Sequence, residues 1–139
     1  MLHVMALDAE DLPALSAQMQ DAVMRFGDMA YLAHHRQFVL VANRFAWDSL
    51  PKRERRRAGL HINYVTRARR SGPAAPARDT ILSLLAIVFE QNSPDDPAGT
   101  LTLDFAGGHR VALDVECIDM QLDDLGPAWA TANEPHHET

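Results

Sequence analysis

The chain has 139 residues, 47% of them hydrophobic and 23% charged, which suits one domain burying about two thirds of its surface and excludes a disordered, collagen-like or coiled-coil chain. Its single cysteine, Cys117, excludes an intrachain disulfide framework, and its longest apolar run, residues 84–89, is far short of the ~20 residues of a membrane helix. The net charge of −6 is segregated into −3 over residues 1–48, +8 over 49–78 and −11 over 79–139, and this asymmetry bears on partners more than the total does.

In chain order, Leu2–Leu7 is short and mostly apolar, with no basic region before Asp8, Glu10 and Asp11. It does not read as a signal peptide, so the expected location is the cytoplasm. Asp8 is placed as an N-cap, and Leu12, Leu15, Ala17 and Met19 mark a helix near Ala9–Gln20 with Pro13 in its first turn. Val23–Phe26, Met29–Leu32 and Gln37–Trp47 read as strands joined by turns at Gly27-Asp28 and His34-His35-Arg36. The last is apolar on both faces, as a central strand is. Ser49–Gly59 reads as a basic loop or short helix, and alternation from Leu60 to Arg69 predicts one half-exposed strand. Arg70–Asp79, with Pro73 and Pro76, is expected to be a flexible loop.

Ile81–Glu90 is rich in Ile, Val and Phe, which favours a buried strand, although its leucines would suit a helix too. Gly107-Gly108 marks a hairpin whose loop length is set by pairing parity. A three-residue loop, Ala106–Gly108, puts Leu103 opposite Val111 and Leu101 opposite Leu113, apolar on apolar, whereas a two-residue loop would place Leu101 against Asp114. The outer face then carries Thr100, Thr102, Asp104, Asp114 and Glu116, and the alternation slips at Cys117-Ile118. Gly126-Pro127 is expected to stop the chain, with Trp129 packing back on the core. The sum is an α+β fold, mostly antiparallel β: a strongly curved barrel or sandwich of seven to eight strands with one N-terminal helix. Residues 1–131 form the single expected domain and 132–139 a disordered tail.

Several segments, Leu7–Leu12, Gln20–Val23, Phe38 through Trp47-Asp48, Ile81–Glu90, Val115–Ile118 and Asp124–Trp129, resemble a small bacterial family of unassigned function, domain-of-unknown-function family 2948. The resemblance covers most of residues 2–131 and implies no activity, cofactor or catalytic residue.

The basic residues Lys52, Arg53, Arg55, Arg56 and Arg57, followed by Arg67, Arg69 and Arg70, with Arg78 beyond them, are the strongest functional signal. Guanidinium forks suit phosphate and carboxylate. The leading expectation is a non-catalytic cytosolic accessory or interaction domain whose Arg-rich loop binds an acidic surface on a partner protein. The runner-up is an anion-binding module for RNA or a phosphorylated metabolite, with Tyr64 as the nearest stacking aromatic. No Gly-rich phosphate loop or RNA-binding signature accompanies the arginines. The plainer alternative is a salt-bridged rim against Asp104, Asp114, Glu116 and Asp119.

Asp114 and Glu116 share a strand face, as solvated faces also do, and no histidine stands at a defined offset to them. Cys117, flanked by apolar residues, reads as a small inward-facing core residue rather than a nucleophile served by His61 or His109. Neither His34-His35 nor His136-His137 has a third metal ligand at suitable spacing. No catalytic residue, metal or cofactor is assigned, and no membrane partner is expected.

Overall fold

A computed structural model describes residues 2–46, 50, 54–126 and 129–130, the last pair by backbone only. Trp47, Lys52, Arg53, the Trp129 side chain and the tail at 132–139 therefore lie outside the described residues. The strands are β1 (His3–Ala6), β2 (Val23–Arg25), β3 (Met29–Leu32), β4 (Gln37–Phe45), β5 (Glu54–Ile62) and β6 (Val65–Ser71). They continue as β7 (Ile81–Gln91), β8 (Gly99–Phe105), β9 (Arg110–Val115), β10 (Met120–Asp124) and β11 (Trp129–Ala130), and one helix, α1, spans Leu12–Met19.

The helix forms where the apolar spacing put it. Leu12, Leu15 and Met19 face the core, and Pro13 sits in the first turn, where no intrahelical N–H is lost. Asp8 acts one step earlier than an N-cap. Its carboxylate accepts the Asp11 amide at 2.9 Å, and the Asp11 carboxylate accepts the Leu7 amide at 3.0 Å, shaping the turn before the helix.

β4 is central, with β5 along one edge from Phe38↔Ile62 to Phe45↔Arg55. Its other edge takes β3 opposite residues 37–40 and β2 opposite Asn43. That long edge overturns the expectation for Ser49–Gly59 over its described part. Residues 54–59 are strand because β4 offers nine residues of unsatisfied backbone, and pairing overrides their polar composition. The expected single strand from Leu60 to Arg69 is instead broken at Asn63-Tyr64, where Tyr64 takes a left-handed φ of 58°. Asn63 holds the break: its amide donates to the Asp119 carbonyl at 2.9 Å and its side chain to the Asp119 carboxylate at 3.1 Å.

All pairings are antiparallel, in the order β1-β10-β5-β4-β2-β7-β8-β9-β6, with β3 added on β4 and β11 on β5. The seven- to eight-stranded, strongly curved barrel or sandwich is thus corrected to one open, unclosed eleven-stranded sheet among the described residues. Closure requires every edge to be paired, yet β1 and β6 end the order without meeting, and the outer edge of β3 carries no strand. The extra strands come from the break at Asn63-Tyr64, which divides one expected strand into β5 and β6, from β10 after the slip at Cys117-Ile118, and from β11, which continues the chain past its expected stop at Gly126-Pro127.

The hairpin follows the parity argument, with Leu101↔Leu113 and Leu103↔Val111 paired around Ala106–Gly108. Gly107 and Gly108 have φ of 83° and 82°, conformations that glycine adopts without strain. β7 is a strand as expected, but buried on one side only. Leu82, Leu84 and Ile87 face the core while Ile81, Leu85 and Val88 are exposed, with a register shift between Leu84 and Ala86. One continuous apolar cluster joins α1 to residues of β1, β2, β4–β10 and Ile118.

Candidate functional site

The fold separates the arginines that the sequence places in one loop. Arg55, Arg56 and Arg57 lie on β5 between β4 and the β10–β11 side, whereas Arg67, Arg69 and Arg70 lie on β6, the last strand of the sheet. The structure does not pair β5 with β6, because each finds its partner elsewhere in the sheet.

The β5 group is largely committed internally. Arg55 donates to the Asn43 carbonyl at 3.3 Å and stacks over Phe45 at 5.9 Å. Burial pushes its pKa down, opposed by the charge of Asp21. Arg56 approaches Asp124 at 3.7 Å, and only the Arg57 side chain is exposed.

Asp124 and Arg44 are the charged pair that sequence reasoning missed. Both side chains are fully buried, joined by two hydrogen bonds of 2.8 and 2.9 Å. The Asp124 carboxylate also accepts the Leu2 amide at 2.7 Å. Burial alone would raise the carboxyl's pKa, but the Arg44 hydrogen bonds, the Leu2 amide and the charges of Arg44 and Arg56 prevail and hold it below its ordinary value. The signal was present in the alternation Phe38, Leu40, Ala42, Arg44, which carries an arginine inward on a central strand.

On β6, Arg67, Arg69 and Arg70 are exposed. Arg69 donates to Asp114 at 2.6 Å, so the rim of internal ion pairs exists in part, alongside Arg36–Glu116 at 2.5 Å and Arg110–Asp104 at 2.9 Å. Such exposed pairs contribute little stability.

Beside β6 lies a cleft of about 240 Å³ lined by Met29, Ala30 and Tyr31 of β3, Ala68, Arg69 and Arg70 of β6, and Phe26, Gly27, Phe38, Arg78 and Val111. Neighbouring side chains of a strand point to opposite faces. Three consecutive lining residues on each strand therefore place the cleft along their edges, in the seam between the unpaired edges of β3 and β6. The Tyr31 hydroxyl spans this seam by donating to the Val65 carbonyl at 2.9 Å. At Gly27 the amide donates to the Arg78 carbonyl at 2.8 Å, and a Cβ there would stand 3.1 Å from both the Cβ and the carbonyl of Arg78. Glycine thus lets the Arg78 segment approach closely.

Tyr64, the expected stacking aromatic, sits at the far turn with His35, Arg36, Asn63 and Asp119 rather than in the cleft. Tyr31 and Phe26 take that position instead. Only proximity in three dimensions could find them, since residues 33–64 separate β3 from β6.

The acidic residues do not assemble a reactive centre. Asp114 is engaged by Arg69 and by the Thr100 hydroxyl at 3.2 Å, and Glu116 by Arg36. Cys117 is half-buried after the end of β9 rather than continuing its inward row, and burial, then Asp119 and Glu116, push its thiol pKa up, away from a reactive thiolate. His34 and His35 are exposed in a turn. Among the described residues no group of three His, Cys, Asp or Glu is placed to hold a metal, and no helix is long and apolar enough to cross a membrane.

No curated protein and no solved structure matches the chain. A family match, described as protein of unknown function (DUF2948), extends over residues 2–137. The residues that carried the resemblance are spread from α1 to the segment after β10, and the chain belongs to the DUF2948 family.

Proposed function

We propose that this protein is a non-catalytic cytosolic accessory or interaction domain that binds an acidic surface of a partner protein through the exposed arginines of β6. The observation that carries this reading is the placement of Arg67, Arg69 and Arg70 on an end strand whose outer edge has no strand partner among the described residues. Arg67 and Arg70, with Arg69 between them shared with Asp114, present a positive field there without competing for the core. Arg57 adds an exposed cation from β5, while Arg55 and Arg56 leave the proposed set because their side chains are engaged internally.

The test is capture of the tagged protein from its native cells at low salt, beside an Arg57→Gln, Arg67→Gln, Arg70→Gln triple variant. The wild type is expected to retain a stoichiometric acidic protein that elutes as salt rises, and the variant to lose it. The variant should keep its stability within about 0.5 kcal/mol, as exposed substitutions do. Retention by the variant, or a wild type that brings down no protein, would sink the reading.

A second reading, an anion-binding module for RNA or a phosphorylated metabolite, is supported by the cleft, where Arg78 joins Arg69 and Arg70 over an apolar floor. RNA binding predicts an affinity falling steeply with salt.

A further inference from the structure

We infer that the seam between β3 and β6 is a binding site for a small anion carried on a flat apolar body, an aryl phosphate or aryl carboxylate in chemical class. The inference rests on the anion-binding reading and gives it a place and a ligand type. In paired strands the backbones stand ~4.8 Å apart. Here a whole tyrosine side chain, with its hydroxyl on the Val65 carbonyl, bridges the two strands in place of direct backbone pairing. The opening that results is about 240 Å³, the share of about eight water molecules at roughly 30 Å³ each. That suits one or two rings and is smaller than the usual drug-sized pocket.

The lining divides into two chemistries. Phe26, Met29, Tyr31, Phe38 and Val111 supply apolar surface, on which a flat ring is held by burial and aromatic contact. Arg69, Arg70 and Arg78 supply three cations, and no aspartate or glutamate is among the described lining residues. Asp114 occupies one donor of Arg69, the Pro73 carbonyl one of Arg70 at 2.8 Å, and the Gly27 carbonyl lies 3.5 Å from Arg78. A guanidinium has five N–H donors, so each retains donors after these bonds. The same contacts hold the side chains in place beforehand, which lowers the ordering cost of capturing an anion. Neutral aromatic ligands would gain only the floor, and inorganic phosphate only the rim.

Isothermal titration of the full chain at low salt with 1-naphthyl phosphate, 1-naphthoate, 1-naphthol and inorganic phosphate tests this. One of the two aryl acids is expected to bind one-to-one, at least about tenfold tighter than 1-naphthol or inorganic phosphate, as charge-assisted hydrogen bonds added to apolar burial require. The tighter acid tells phosphate from carboxylate recognition, and either result supports the site. Arg70→Gln with Arg78→Gln should remove most of the acid's advantage over 1-naphthol without changing 1-naphthol itself. Ala68→Leu, which fills the cleft, should weaken both ligands. Equal binding of acid and 1-naphthol would overturn the anion-binding reading itself. Inorganic phosphate binding as tightly as 1-naphthyl phosphate would leave that reading standing and overturn only the apolar body. No saturation by either acid at millimolar concentration, or binding of a ten-nucleotide RNA where both acids fail, would overturn the site.

Discussion

Arg44 and Asp124 show how a single pair can hold distant parts of the chain. A fully buried ion pair that loses one partner leaves an uncompensated charge, so Asp124→Ala or Arg44→Met is expected to cost about 3–5 kcal/mol in urea unfolding. Replacing both with apolar residues of similar volume should recover much of that loss. The pair also sets an acid limit. Because the folded Asp124 carboxyl titrates below its ordinary 3.8, its contribution is complete above that value and is lost as the pH falls through the lower folded one. Asp124→Asn should remove this part of the acid dependence while lowering stability at neutral pH, which denaturant titrations at several pH values will read. The half-buried Asp123 carboxyl is lowered too, first by its hydrogen bond with the exposed His3, but a pair open to solvent is screened and adds little.

Among the elements, α1 and β7 depend on one another. β2 pairs with β7 only over residues 81–83, and farther along β7 the Ser16 hydroxyl of α1 accepts the Ile87 amide at 3.2 Å. The segment after the helix supplies two more bonds, Asp21 amide to Leu84 carbonyl at 2.8 Å and Leu84 amide to Ala22 carbonyl at 2.9 Å. Ser16→Ala should therefore cost about 1–3 kcal/mol, the penalty of a buried amide left unpaired, with faster amide exchange at Ile87 as its local signature. The hairpin of β8 and β9 was readable in advance, because its pairing is local and the apolar residues leave one workable parity. The run at 54–59 was not, since its strand character comes from a β4 edge that only the folded chain presents.

For the whole molecule the open seam is the defining feature. Tyr31→Phe removes the hydrogen bond that bridges it, so amide exchange should quicken in β3 and β6 while global stability falls by only about 1 kcal/mol. A uniform change across the sheet would mean that the seam is no separate unit. Composition, apolar period and turn residues determined the class: an antiparallel fold with one helix near its N-terminus, a central β4 and a three-residue hairpin loop. These features depend on neighbours within a few residues or on one face of a strand, which a linear reading can see. The tertiary structure alone decided that the sheet stays open, that Arg55 and Arg56 are engaged internally, and that Arg78 joins Arg69 and Arg70 beside Tyr31 and Phe26. Each of those outcomes depends on which edge a strand finds. That choice is settled by long-range pairing and burial, to which local sequence contributes only the candidates.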